Sequence, residues 1–404
     1  MLTINIDQFI NKHITKREIS LFARDIHQNE QELFSRITGK SLLVIGGAGT
    51  IGSYFIKAAL NYSPGRLYII DINENALTEL TRDLRSSANI KVPEAYKTYP
   101  VNFNDTVFYK ILENEGPFEI IANFAAHKHV RSEKDQYSIQ ALLENNIINA
   151  EKLLQCLINH PPEHFFCVST DKAANPVNIM GASKKVMEEV LMSYCQDIPV
   201  TTARFANVAF SNGSLLYGFY ERITKRQPIS SPMDVKRYFV SPEESGQICL
   251  LACMLGSTGD IFFPKLAEEH MMTFSHISDL FLRELDLEPI ICHSEQEAKE
   301  MALHLDSIYP KYPVYYFSSD TAGEKLFEEF FTEDEKVDLL NYNSLGVIKN
   351  ATRKSRNEVN EMIRKLKQVL GMKELSKSDI VTVLTEFLPG FHHIETGKNL
   401  DQRM

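Results

Sequence analysis

The chain has 404 residues, 44% hydrophobic and 24% charged, which supplies apolar material for one large globular body or two closely joined ones and argues against disorder. Its formal net charge of −10 opposes general binding to a phosphate backbone, so nucleic acid is not an expected partner and any bound anion must be gripped by local groups. No apolar run reaches the ~18 residues that cross a bilayer, and the opening MLTINIDQFINKHITKREIS mixes charge into its apolar positions, so a soluble, cytoplasmic protein with no membrane partner is expected.

Residues 1–40 read as helical pieces with apolar positions at Ile6, Phe9, Ile10, Phe22, Leu33 and Phe34, and they carry no chemical motif. From Ser41 onward, β-rich runs alternate with amphipathic stretches: SLLVIGG, RLYIID, EIIANFAA, HFFCVST and VTTARFA. Alternation of this kind marks βαβ units and predicts an α/β fold, a Rossmann-type doubly wound parallel sheet with helices on both faces. Beyond about Asn207 turn residues multiply (SNGS, QPISSP, GSTGD), as where loops build a substrate lobe at the carboxyl ends of strands. Ser355–Gly371 returns to helical spacing, with Val359, Met362, Ile363, Leu366, Val369 and Leu370 on one stripe and Gly371 as a stop. The expected division is a helical extension at 1–40, a dinucleotide-binding domain with the catalytic residues at 41–206, a substrate lobe partly interleaved with it at 207–345, and a helical extension at 346–404. The six cysteines, Cys156, Cys167, Cys195, Cys249, Cys253 and Cys292, form no C-x-x-C pair and suit reduced thiols better than a disulfide framework or a zinc site.

Gly46, Gly49 and Gly52 stand three apart in GGAGTIG, directly after a predicted strand and opening a predicted helix that begins with Thr50 and Ile51. Missing side chains there permit a tight turn, let backbone approach a pyrophosphate and bring helix onto strand, while the helix N-terminus supplies N–H groups and partial positive charge. Asp71, nineteen residues past Gly52 at the tip of RLYIID, can accept both ribose hydroxyls of an adenosine and would repel a 2′-phosphate, which favours NAD over NADP. Asn102 and Asp105, after the third strand, are candidates for the adenine edge, with surface-loop roles as the alternative.

HFFCVST ends a strand at Ser169-Thr170; Asp171-Lys172 follow, and AANPVNIMGASKK opens a helix holding Met180 and Lys184. Strand ends in this architecture face the ligand crevice, so a hydroxyl, an acid and a base can converge there on a substrate. The plainer alternative is a surface loop with an ordinary Asp–Lys pair. NFAAHKHV and RFANV sit at two further strand ends and border the same cleft. His127 and His129 lack a third ligand at suitable spacing, so no metal is expected.

GGAGTIG, NFAAHKHV, VSTDKAANPVNIMGASK, RFANVAFSNGS, KRYFV and GEKLFEE together resemble the extended short-chain dehydrogenases/reductases, and within them the UDP-N-acetylglucosamine 4,6-dehydratases of bacterial polysaccharide and nonulosonic-acid biosynthesis. The resemblance implies a lyase with a tightly held NAD regenerated in each turnover: hydride leaves sugar C4, the C5 proton is removed, water leaves from C6, and hydride returns to C6. It assigns Lys172 as base at C5, Asp171 as acid at C6, Thr170 as the group holding the C4 oxygen, and Lys184 as a ligand of the nicotinamide ribose. It also implies Ala125 beside the cofactor, and Lys128, His129, Asn207, Ser211, Asn212, Ser214, Arg237 and Glu324 around the nucleotide sugar. Asn146, in LLENNIINA, would support the active-site backbone.

To act as a base near neutral pH, Lys172 needs a lowered ammonium pKa, expected from burial and neighbouring positive charge, and Asp171 needs a raised one. The tyrosine usual in the superfamily is replaced by Met180, whose thioether has no proton to exchange, so the C4 proton must leave through Asp171, Lys172 or a water. Arg204 reads as a satisfied strand-end arginine. Thr321 stands where relatives carry an arginine, which leaves UDP and GDP sugars both open. A 4-epimerase and a non-catalytic NAD-binding sensor are the alternative functions, and a homo-oligomer, dimer or higher, is expected by likeness.

Overall fold

The computed structural model of the chain describes residues 4–319, 325, 327–351 and 353–395. Six of the strands that build the main sheet are β1 (Ser41–Ile45), β2 (Arg66–Asp71), β3 (Ala95–Pro100), β4 (Ile120–Asn123), β5 (His164–Val168) and β6 (Val200–Ala203). Three later ones, Ile261–Pro264, Leu345–Ile348 and Val337–Asp338, extend the sheet beyond β6, giving the order 3-2-1-4-5-6 followed by these three. The first seven pair in parallel and the last two antiparallel. The strand order reverses between β1 and β4, and that reversal opens a crevice at their carboxyl ends where a dinucleotide can lie.

Both faces of the sheet are covered, which is why SLLVI is apolar without interruption. Leu42 and Val44 point into one core, Leu43 and Ile45 into the other, following the two-residue repeat of a strand. The helices Thr50–Leu60 and Pro242–Leu255 pack together on the first face; a Cβ at Gly246 would lie 2.3 Å from the backbone of Tyr54, so only glycine permits that approach. On the second face lie Gln136–Leu143, Asn149–Leu157 and Ile179–Ser193, joined in the core by Arg356–Leu370 and Lys377–Phe387. Ser355 and Glu358 form a capping box at the start of Arg356–Leu370, and Val359, Met362, Ile363, Leu366 and Leu370 are its buried stripe, with Val369 half-buried at its edge.

The N-terminal extension packs in two places. Phe9 meets Phe281 and Phe210 edge-on at 5.4 and 5.8 Å in the core of the smaller lobe, whereas Phe22, Leu33 and Ile37 join the main core. Phe34 is 43% exposed: one residue after Leu33 it is rotated off the Leu33–Ile37 stripe and rests on Tyr62 at the rim. Asp25 accepts the backbone N–H groups of Asn343 and Ser344 at 2.6 and 2.8 Å, tying the extension to the strand Leu345–Ile348. The smaller lobe has its own three-stranded parallel sheet, Glu288–Cys292, Lys311–Phe317 and Ile229–Pro232, flanked by the helices Leu215–Thr224 and Phe274–Glu284. All six cysteines are free; Cys167, Cys249, Cys253 and Cys292 are buried, while Cys156 is exposed. Among the described residues no helix is long and apolar enough to cross a membrane.

Candidate active site

β1 runs straight into the glycine loop. Gly46 has φ +71°, and a Cβ there would lie 2.5 Å from the Ala125 nitrogen, so the exits of β1 and β4 touch backbone to backbone. A Cβ at Gly52 would lie 2.5 Å from the Gly46 carbonyl oxygen. Gly49 differs: its Cβ would meet only the Gly46 oxygen, at 3.4 Å, so the protein itself does not demand glycine there. The space it leaves faces a cavity of about 260 Å³, lined by Gly46, Gly49, Thr50, Ile51, Gly52, Asp71, Asn102 and Ala125. Gly49 is the N-cap of Thr50–Leu60, with no side chain bonded to the helix's first N–H groups and no acid in its first turn. That helix end is left to an anion.

Asp71 accepts the backbone N–H of Ala48 on one oxygen and of Asn73 on the other, each at 3.0 Å, which fixes the carboxylate at the cavity's edge with lone pairs left for two hydroxyls. Asn102 Oδ1 accepts the N–H of Asn104 at 2.9 Å. This donor set and the side-chain-free cradle at Gly49 fit the adenosine and pyrophosphate of NAD.

A second cavity, about 270 Å³, shares Ile51, Phe124, Ala126 and Lys128 with the first, so one trough continues into the other. Thr170, Lys172, Met180 and Lys184 all reach it. β5 and the single turn of 3-10 helix that follows it, Asp171–Ala173, deliver Thr170 and Lys172, while Met180 and Lys184 come from the helix Ile179–Ser193. Asp171, 3% exposed, stands one layer behind: its Oδ1 accepts the Thr170 hydroxyl at 2.8 Å, the Lys172 N–H at 2.9 Å and the Lys172 ammonium at 3.1 Å. The expected lowering of the Lys172 pKa is reversed. Burial works against its charge, but Asp171 and Glu328, the latter 3.4 Å away, outweigh burial and the opposing Arg237 and hold the ammonium above its ordinary value. Lys184 is a buried cation with no carboxylate in ion-pair reach among the described residues: it donates to the Val168 carbonyl at 2.9 Å, and burial pushes its pKa down.

Met180 is 2% exposed, and its backbone N–H donates to Glu133 Oε1 at 2.9 Å. The helix start is further set by Asn178, whose side chain accepts the Gly181 N–H at 2.7 Å. A Cβ on Gly181 would sit 2.6 Å from the Lys172 carbonyl oxygen, so the glycine of MGASK is what lets the Asp171–Ala173 turn dock there. Asn146, on a π-helical turn, accepts the His127 N–H and donates to the His127 carbonyl, both at 2.9 Å, and donates to Ser183 at 3.1 Å. Arg204 is fully buried and binds Glu188 and Glu335 through both of its forks; Ser169, next to Thr170, donates to the same Glu188 at 2.6 Å. Sequence reasoning did not find Glu133, Gly181 or Glu328. Gly181 and Glu328 did carry a local signal, their places within MGASK and GEKLFEE, whereas Glu133 carried none.

On the substrate side, His129, Asn207, Ser211 and Ser214 line the second cavity with Lys128. Lys128 Nζ donates to the Asn212 carbonyl at 3.2 Å, and the Asn212 N–H donates to the Thr50 hydroxyl at 3.0 Å, so Asn212 acts through its backbone and joins the lobe to the glycine helix. A third cavity, about 560 Å³, adjoins through His129, Ser214, Leu215 and Phe274; Ser230 Oγ and Arg222 Nε are buried beside it without a hydrogen-bond partner among the described residues. Arg237, expected to face a diphosphate, is 5% exposed, lies 3.8 Å from Glu328 and donates to the Lys236 carbonyl at 2.9 Å, and it is not among the residues lining the second and third cavities. Glu324 and Thr321 lie outside the described residues.

Residues 42–350 match the family model described as polysaccharide biosynthesis protein. An uncharacterized membrane protein of Methanocaldococcus jannaschii is 29% identical over 324 residues, 79% of this chain and 88% of the relative. The inverting UDP-N-acetylglucosamine 4,6-dehydratase of Campylobacter jejuni is 25% identical over 247 residues, 59% of this chain and 70% of the relative, and a UDP-glucose 4-epimerase of Rickettsia akari is 27% identical over 56% of this chain and 66% of the relative. The chain spans about half of the capsular polysaccharide biosynthesis protein CapD of Staphylococcus aureus, 49% of its length at 26% identity. Among solved structures, Pen from Bacillus thuringiensis superposes with a TM-score of 0.63 at 19% identity over 79% of this chain and 90% of that one. The dTDP-glucose 4,6-dehydratase DesIV of Streptomyces venezuelae gives 0.54 at 17% identity over 87% and 98%. The 3-2-1-4-5-6 sheet, the glycine loop closed by Asp71 and a family match running from β1 to the last strands agree: the chain belongs to the polysaccharide biosynthesis protein family, on the extended short-chain dehydrogenase/reductase fold.

Proposed function

We propose that the chain is an NAD-dependent nucleotide-sugar 4,6-dehydratase that converts UDP-N-acetylglucosamine to a 4-keto-6-deoxy sugar for a surface glycan or nonulosonic acid. The observation that carries this reading is the Thr170–Lys172 turn, which brings a hydroxyl and an amine to the wall of the cavity continuing from the dinucleotide trough, with a carboxylate bonded to both. The C. jejuni dehydratase supports the substrate class, and the adjoining cavity of about 560 Å³ leaves room for the nucleotide.

When bound, NAD would accept a hydride from sugar C4 and return it at C6. The chain's own groups handle the protons. Thr170 holds the C4 oxygen and passes the C4 hydroxyl proton along its 2.8 Å bond to Asp171, a route that needs no tyrosine at position 180. Asp171 keeps that proton and supplies it when the C6 hydroxyl departs, by way of the two side chains that reach the cavity. The C4 proton thus ends in the released water and the balance closes. Lys172, as the free amine, takes the C5 proton and gives one back. Lys184 holds the nicotinamide ribose.

Incubation with UDP-N-acetylglucosamine and NAD tests the reading: the product should be lighter by one water, and Lys172→Ala should lose C5 deuterium exchange from heavy water. A product of unchanged mass would establish the 4-epimerase alternative, which the R. akari relative favours and the methionine at 180 opposes. Untouched substrate would leave a sensor.

A further inference from the structure

Beside Lys172, and not among the residues that line the cavity, lies a carboxylate that the chemistry above leaves unused. Glu328 is 6% exposed; its Oε1 is 3.4 Å from Lys172 Nζ and 3.8 Å from Arg237, and its Oε2 is buried with no hydrogen-bond partner among the described residues. A carboxylate oxygen that is buried without a donor is poorly stabilised as an anion, which raises the proton affinity of the ionised group. Among the described residues, the charged groups facing Lys172 are Asp171, Glu328 and Arg237, and those facing Glu328 are Lys172, Asp171, Arg237 and Lys325. Burial pushes the Glu328 carboxyl up, and Asp171 adds to it against the three cations. Lys172, for its part, is held as an ammonium by two carboxylates, yet the C5 step calls for an amine. Once Asp171 has taken the C4 proton, Glu328 is the carboxylate left beside Lys172.

We propose that Glu328 is the proton acceptor for Lys172: one proton crosses from the ammonium to the carboxylate, leaving a neutral amine and a carboxylic acid, and crosses back after the amine has returned its proton to C5. Glu328 touches no substrate and acts through Lys172, so it is a positioning residue. The inference rests on the dehydratase reading wherever it needs a base at C5.

The experiment uses the full chain with NAD, in wild-type form and as Glu328→Gln and Glu328→Asp. The first readout is C5 deuterium exchange in UDP-N-acetylglucosamine between pH 6 and 9. The second needs no substrate: the pH dependence of acetylation at Lys172 by acetic anhydride, read by peptide mass spectrometry with Lys184 as internal reference. Glu328→Gln should slow exchange at pH 7 by roughly 100-fold, the range of a lost proton-transfer group, and Glu328→Asp should restore most of it. Removing the negative charge should also move the Lys172 acetylation curve to lower pH. A glutamine whose only effect was electrostatic would make the amine more available and leave exchange as fast as wild type or faster, which overturns the proposal. An unmoved acetylation curve overturns it as well, because Glu328 then does not control Lys172. A wild-type chain that leaves the nucleotide sugar intact refutes the dehydratase reading instead, and the acetylation curve still decides the pairing.

Discussion

Replacing Arg204 with alanine strands the Glu188 carboxylate in the core and leaves half-buried Glu335 without its main partner. The guanidinium, 0% exposed, donates to both oxygens of Glu188 at 2.8 and 2.7 Å, to both oxygens of Glu335 at 2.8 Å each, and to the Phe330 carbonyl at 3.0 Å. Without it Glu188, 1% exposed, keeps the Ser169 hydroxyl at 2.6 Å and Lys185 at 3.7 Å. Breaking a buried pair by removing one partner costs about 3–5 kcal/mol. The pH dependence gives a sharper test. Burial pushes Glu188 up, but Arg204 together with Lys185 and Ser169 brings it below the ordinary carboxylate value. In the wild type this depressed group contributes stability that is present above the unfolded-state pKa and lost as pH falls through the folded one. In Arg204→Ala burial prevails, the folded protein binds that proton more readily than the unfolded chain, and the deficit shrinks in acid. Urea unfolding followed by circular dichroism at pH 7.5 and pH 5 measures both, since the chain has no tryptophan to report. The expected deficit is about 3–5 kcal/mol at the higher pH and smaller at the lower, with Glu188→Gln in the same chain recovering part of it. A deficit below about 1 kcal/mol, or one equal at both pH values, refutes the claim that Arg204 neutralises a buried carboxylate. The same variant should slow turnover, because Arg204 also anchors the Phe330–Glu335 segment that follows Glu328.

Gly46→Ala should abolish NAD binding in a fluorescence titration of NADH, since the new Cβ meets the Ala125 nitrogen at 2.5 Å in a left-handed backbone that costs an L-residue about 1–2 kcal/mol; binding within tenfold of wild type would sink the close-approach argument. Asp71→Asn should erode the preference for NAD over NADP by roughly tenfold, the worth of about one charge-assisted hydrogen bond; competition titrations that leave the ratio unchanged would remove Asp71 from the ribose. Met180→Leu should keep turnover within about tenfold, a small packing change with no proton at stake; a loss beyond about a hundredfold would give the thioether a role that the Thr170–Asp171 route does not allow.

Strand, turn and helix signals are local, and they were legible. SLLVI, RLYIID, HFFCV and the Ser355–Gly371 stripe stand where their residue patterns put them, and the cavity-lining roles of Gly46, Gly49, Asp71, Thr170 and Lys172 followed from lying at strand ends. Which of the adjacent Leu33 and Phe34 is buried was not legible, because neighbouring residues on a helix point about 100° apart and the packing takes only one stripe. The burial of Arg237 was not legible, because a motif names a residue without its charged neighbours, and one of these, Glu328, is ninety-one positions away.

The order of residues alone determined the strands, the dinucleotide loop and which side chains follow β5 at the sheet's carboxyl edge, because each depends on contacts within one βα unit. The charge on Lys172, the burial of Asp171 behind it and the anchoring of Met180 by Glu133 were decided only by tertiary structure. Electrostatic energy follows distance through space and the exclusion of water, and neither is written along the chain.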